Sequence, residues 1–233
     1  MEVLRIKITG VVSSFRNPFF VSGAQPTLEV PPPSTILGII SAVAGRIVRP
    51  DEISFGYVFL YKDKGEDLEL IYELSSKPYP MKKLKRRKLI YELGLKKGLK
   101  EAKSNVIRRD FLTFPELYLY VTNVEYEGYF RKPSFPILLG RTQELAKIEK
   151  IERVTLVKKS PVRFGKTIVP IDFKGVSGAI VALPLYFDYS AQGVRKAMMI
   201  QPFVILSRFI NYERQPIWFD EEKNWGVYLY GES

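Results

Sequence analysis

Three consecutive prolines, Pro31–Pro33, leave this chain little choice of backbone at that point. Each proline fixes φ near −65° and removes an amide donor, so the run fits neither a central strand nor a helix interior and serves only as a lead-in. The segment behind them, STILGIISAVAGRI, places Ile36, Ile40, Val43 and Ile47 at helical spacing and predicts a helix over 34–47. Ser34 is the expected N-cap and Gly45 the expected C-cap. Upstream, Val3–Val12 alternates, with Leu4, Ile6 and Ile8 on one side and Val3, Arg5, Lys7 and Thr9 on the other, as in a half-buried strand. A polar loop carrying Phe15 and Arg16 joins the two. The result is a strand, a loop with an arginine and an aromatic ring, and a helix whose first-turn amides attract phosphate. A core helix behind a stiff connector accounts for the same residues without any ligand.

Further strands are expected at 54–62 and 68–76, joined by a turn at 63–66, and at 116–125. A short helix over 140–149, with Thr142 as its N-cap, and a strand at 153–158 come next. The order βα, strands, αβ predicts an α+β fold: a ferredoxin-like (RRM-like) βαββαβ domain over residues 1–158, enlarged by an insertion at about 77–112. The aromatic RNP1 sequence of the RNA-recognition motif is absent. Residues 159–233 alternate short strand-like runs with Gly, Pro and Asp, which predicts a small β-rich C-terminal domain. Lys174–Gly178 lacks the spacing of any phosphate loop and is expected to be a turn.

Charge narrows the partner. The chain carries 36 Lys and Arg against 25 Asp and Glu, a net +11. Lys82, Lys83, Lys85, Arg86, Arg87 and Lys88 crowd the insertion, with Arg108 and Arg109 near its end. Such a run favours an anionic partner, nucleic acid before an anionic membrane. The chain has neither cysteine nor histidine. Disulfides and thiolate metal sites are therefore excluded, and so is the side chain best suited to proton transfer near neutral pH. The acidic clusters Asp51–Glu52, Glu66–Asp67 and Asp220–Glu222 lack metal-site spacing and are expected to be solvated charge. No cofactor motif occurs. The longest apolar run, Ile36–Gly45, is too short for a bilayer, and the N-terminus lacks a signal-peptide core, so a soluble cytoplasmic protein with no membrane partner is expected.

Several of these residues also form an ordered set. Ser14-Phe15-Arg16 with Pro18, then Gln25 and Thr27, then Pro31–Pro33 with Ser34, Thr35 and Gly38, resemble the N-terminal signature of the CRISPR-associated Cas-five family of the RAMP superfamily. Leu139-Gly140-Arg141-Thr142-Gln143-Glu144-Leu145-Ala146 is similar to that family's second motif, and Arg109-Asp110-Phe111-Leu112 to a third element. The matches span roughly residues 3–150. The resemblance implies a subunit of a type I Cascade surveillance complex that holds the 5′ repeat-derived handle of the crRNA, in antiviral defence. It further implies contacts to the complex's backbone and large subunits, and a thumb-like insertion that grips the RNA. The RNA-binding residues expected are Phe15, Arg16, Gln25, Ser34, Thr35, Lys82, Lys83, Lys85, Arg86, Arg87, Lys88, Arg108, Arg109 and Arg141. Some family members cut repeat RNA with a constellation that includes histidine, so this chain is expected to be non-catalytic. Two alternatives stand beside that reading. One is a metal-independent repeat endoribonuclease using Tyr79, Tyr91 or a lysine, and the other is a basic scaffold protein without RNA specificity.

Overall fold

The computed structural model describes residues 1–20, 23–78, 100–190 and 194–231, with the side chains of 72–78, 100–104, 190 and 194 excepted. The described elements are, in order, β1 (Glu2–Gly10), β2 (Val12–Ser13), β3 (Ala24–Gln25), α1 (Pro33–Ala44), β4 (Phe55–Leu60), β5 (Asp63–Pro78), β6 (Lys100–Thr113) and β7 (Glu116–Val121). A 3₁₀ turn (Val124–Tyr126) leads into α2 (Glu127–Arg131), then β8 (Ile137–Leu138), β9 (Leu145–Thr155) and β10 (Val157–Lys159). The last third is entirely strand and turn: β11 (Val162–Pro170), β12 (Ala179–Ser190), β13 (Val194–Tyr212), β14 (Ile217–Asp220), β15 (Trp225–Val227) and β16 (Leu229–Tyr230). The fold is α+β and mostly β.

A six-stranded antiparallel sheet organises it, in the order β16-β4-β7-β1-β9-β8. Leu4, Ile6 and Ile8 face a core closed by Ile36, Ile40 and Val43 of α1 and by Ile168, Val181, Leu183 and Phe203 of β11–β13. Residues from both sides of position 158 therefore share one core. β1 is not half-buried as its alternation suggested. Val3 and Arg5, on its second face, are 0% and 2% exposed, because Trp225, Val227 and Leu229 from the C-terminal strands cover that side with Tyr118 and Tyr120. Alternation marks which face a side chain takes, and a second layer arriving from the far end of the chain leaves no mark on it.

Four local expectations are corrected. The helix is Pro33–Ala44 with Pro32 at the N-cap, and Ser34 makes no capping hydrogen bond; Gly45 does cap the C-terminus, with φ +70°. Strands 54–62 and 68–76 are not a hairpin: β4 pairs with β7, and β5 leaves the sheet to pair with β6 over a long two-stranded arm. The predicted helix over 140–149 is a turn leading into β9. Its helix-like spacing has a definite cause. A bulge opposite Lys7/Ile8 pairs Ile148 with Ile8 and Ile151 with Ile6, so residues three apart share one face. Finally, much of the expected insertion is ordinary strand, since β6 begins at Lys100. Lys82, Lys83, Lys85, Arg86, Arg87 and Lys88, with Tyr79 and Tyr91, lie outside the described residues.

Candidate nucleic-acid interface

The two sequence motifs, 130 residues apart, meet through one carboxylate. Glu144 is buried, and its side chain accepts four hydrogen bonds: from Ser14 N (2.9 Å), Ser14 Oγ (2.8 Å), Arg141 N (2.7 Å) and Arg141 Nε (2.8 Å). A buried carboxylate is tolerated only when it is paired and hydrogen-bonded in this way. Gly140 makes the approach possible. Its φ is +133°, and a Cβ there would lie 2.1 Å from Glu144 Oε2 and 2.4 Å from the Ser14 carbonyl. The turn at 140–144 is thus locked onto the loop after β2, which sets the direction of the Arg141 side chain.

The loop itself is held by Thr27. Its Oγ1 accepts from Phe15 N (2.7 Å), and Leu28 N donates to the Phe15 carbonyl (2.8 Å). Phe15 points inward, is 2% exposed and meets the Phe59 ring edge-on at 5.3 Å. Phe15, expected among the RNA-binding residues, is corrected in this respect: its ring belongs to the core, and the residue only borders the cleft described below. Arg16, the next residue, points out and is exposed; among the described residues no carboxylate pairs with it.

β3 pairs parallel with β6, bringing Gln25 beside Arg109. Arg109 donates to Gln25 Oε1 (2.5 Å) and to Glu69 Oε2 (2.6 Å), and Arg141 Nη1 lies 3.6 Å from the same Glu69 oxygen. Arg108 faces the other way. It makes two hydrogen bonds to Glu66 (3.0 and 2.8 Å) and does not line the cleft. Consecutive strand residues take opposite faces, so the two could never have shared one.

Helix α1 presents Ser34 and Thr35 to the same place, with fewer free donors than expected. Pro33 has no N–H, and the Thr35 and Ile36 amides both donate to the Pro32 carbonyl. Only the Ser34 amide remains from the first turn to meet an anion.

Together these residues line a cleft of about 740 Å³: Ser14, Phe15, Arg16, Pro18, Gln25, Pro32, Ser34, Thr35, Ile71, Arg109, Gly140 and Arg141, with Leu183, Pro184, Phe187 and Arg195 from the β12–β13 hairpin. Sequence reasoning missed Phe187 and Arg195, whose guanidinium lies 3.6 Å from the Phe187 ring centroid. It also missed Glu144 and Glu69, the carboxylates that orient Arg141 and Arg109. The only hint in the sequence is a carboxylate three residues after Gly140-Arg141. Four arginines against those two carboxylates leave the cleft cationic. It offers guanidinium planes, hydroxyls and one free amide, the groups that bind a phosphodiester backbone. Among the described residues no cluster of His, Cys, Asp and Glu has the arrangement of a metal site, and no helix is long and apolar enough to cross a membrane.

The model of the family described as CRISPR-associated protein (Cas_Cas5) matches residues 3–216. No match was found among curated proteins. Among solved structures, the chain is similar to one in "Cryo-EM structure of the Type III-B Cmr-beta bound to cognate target RNA", with a TM-score of 0.54 and 11% identity over 89% of this chain and 86% of that one. That likeness establishes a shared fold. Similarity to a chain of a "CRISPR RNA-guided surveillance complex" has a TM-score of 0.49, with 16% identity over 92% and 91% of the two chains. Similarity to a CRISPR protein from Archaeoglobus fulgidus has a TM-score of 0.43, with 12% identity over 98% and 99%.

Proposed function

The chain belongs to the CRISPR-associated protein (Cas_Cas5) family, and from that premise we propose that its arginine-lined cleft binds the 5′ repeat-derived handle of a guide RNA, as a non-catalytic subunit of a type I Cascade complex. The observation that carries this reading is the convergence of Arg16, Gln25, Ser34, Thr35, Arg109 and Arg141 on one cleft from loops and strands far apart in sequence. Arg16 is free to take a phosphate. Arg141 and Arg109 are held in fixed directions by Glu144 and Glu69, a preorganisation that lowers the ordering cost of binding. The basic run Lys82–Lys88 adds sequence-independent attraction.

The strand order β9-β1-β7-β4, with α1 after β1 and α2 between β7 and β9, supports reading the central sheet as the ferredoxin-like βαββαβ unit. The absence of histidine supports a binding rather than a cutting role, and Glu69 and Glu144 are engaged by arginines instead of standing free as bases. Neighbouring backbone and large subunits would complete the assembly.

Binding of the full chain to a fluorescent handle RNA, titrated across salt, tests the reading. Affinity should fall with a log–log slope of about −0.7 per phosphate contacted, hence about −3 to −4 for roughly five contacts. Salt-independent association, or none at low salt, would overturn it.

A further inference from the structure

The wall formed by Phe187 and Arg195 has a second side. There a cleft of about 450 Å³ opens between α1 and the β12–β13 hairpin, and Ser34, Phe187 and Arg195 line both clefts. The character changes across the wall. The second cleft is edged by Tyr186, Tyr189 and Phe135, the last two 54% and 58% exposed, and no carboxylate lines it. Its other arginine, Arg46, is taken up by Glu52 at 2.5 Å. A space with aromatic edges and one guanidinium plane already stacked on a ring suits a flat, uncharged π-system better than a phosphate.

Gly38 is the second observation. It lies inside α1, where glycine is unfavourable relative to alanine, and its backbone is ordinary helix. Packing does not demand it either: a Cβ there would meet nothing within 4 Å. The glycine leaves helix backbone bare on the floor of this cleft, as it does where a ligand approaches the main chain closely.

Resting on the RNA reading above, we propose that the second cleft receives one unpaired base of the same strand, stacked on the Phe187–Arg195 wall over Gly38. Its phosphate stays in the arginine cleft. Continuity through Ser34 and the shared wall supplies the path, and the chemistry calls for a single-stranded nucleotide with its base turned out.

The test uses the full chain and a handle RNA carrying 2-aminopurine at successive positions. Binding should change the fluorescence strongly at one position. Gly38→Leu, whose Cβ meets nothing within 4 Å and whose longer side chain projects into the cleft, should abolish that change and weaken binding roughly fivefold to a hundredfold, the worth of one base stack. Its salt slope should stay at the unsubstituted value, because no phosphate contact is lost, and its melting temperature should not fall. Phe187→Ala should act in the same direction. Arg16→Ala should do the opposite, lowering the slope while keeping the fluorescence change. If Gly38→Leu binds as tightly as the unsubstituted chain with the same fluorescence response, the base pocket is wrong while the handle reading stands. If the unsubstituted chain binds no RNA, both fall.

Discussion

Two groups of arginines sit on the same molecule and are treated in opposite ways. Arg5, in the middle of β1, is 2% exposed and surrounded by acid. It donates to Asp220 (2.7 Å), Glu152 (2.9 Å) and Glu222, while Tyr120 donates to the same Asp220 oxygen and Trp225 to Tyr120, both at 2.8 Å. Burial alone would make that guanidinium easier to deprotonate; the hydrogen bonds to Glu222, Asp220 and Glu152 outweigh it and hold the proton more firmly than usual. Arg16 and Arg195, at the cleft, have no carboxylate among the described residues. Where an arginine serves the fold, the chain itself supplies the counter-ions. At Arg16 and Arg195 any anion must come from outside, whereas Arg109 and Arg141, in the same cleft, keep Glu69 and Glu144 as partial counter-ions.

The sharpest way to break this contrast is Arg5→Ala. Removing one member of a buried, hydrogen-bonded charge cluster leaves Asp220 without its cation and costs roughly 3–5 kcal/mol. That lowers the melting temperature by about 10 °C in a chain of this size. The handle affinity of the fraction still folded should be unchanged. A variant as stable as the parent would mean that the acidic cluster is solvated in the folded protein. A variant that stayed folded but lost RNA would mean that the two regions are coupled.

Buried tyrosines on the two faces of the central sheet should also set the alkaline limit. Burial pushes the phenols of Tyr57, Tyr120 and Tyr230 upward, with Asp220 adding to the effect on Tyr120. In the unfolded chain a tyrosine loses its proton near pH 10. Above that pH the folded state therefore binds more protons than the unfolded one, and stability falls as pH rises. The contribution is whole below pH 10. Above it, each tyrosine removes about 1.4 kcal/mol per pH unit, so the three together remove roughly 4. Denaturant melts at pH 8, 10 and 11 should show the decline, and Tyr120→Phe should make it shallower. Stability that stayed level to pH 11 would place these hydroxyls in contact with water.

How much of this was legible depended on how far apart the interacting residues lie. The helix after Pro31–Pro33, its Gly45 cap and the inward face of β1 follow from local spacing, and the structure keeps them. Ser34 could not be read as the second residue of the helix, because a serine behind three prolines has the same signature whether the helix starts before it or after it. β9 was hidden by its bulge, which gives a strand the three-residue repeat of a helix. Of the cleft, Arg16, Gln25, Ser34, Thr35, Arg109 and Arg141 were readable from motif residues. Phe15 was not separable from them, since a ring beside an arginine looks the same facing in or out until Phe59 closes on it. Arg195 and Phe187 carry no local signal at all: they become part of a site only when the C-terminal hairpin folds back over α1.

The smallest of these effects bears most directly on function. Arg16→Ala removes one exposed, unpaired charge, so it should leave the melting temperature within about a degree, because such a residue contributes little to stability. It should weaken handle binding about tenfold, the scale of one charge-assisted hydrogen bond, and reduce the salt slope by about 0.7. The affinity it leaves behind should be flat from pH 6 to pH 9. Arginine does not lose its proton in that range, and the chain has no histidine to gain or lose one. The buried cluster and the cleft thus separate along two axes in one set of titrations. Arg5→Ala moves stability and not slope, while Arg16→Ala moves slope and not stability. A handle affinity that changed tenfold between pH 6 and pH 8 would break the separation, since it would require a titrating group that the described cleft does not contain.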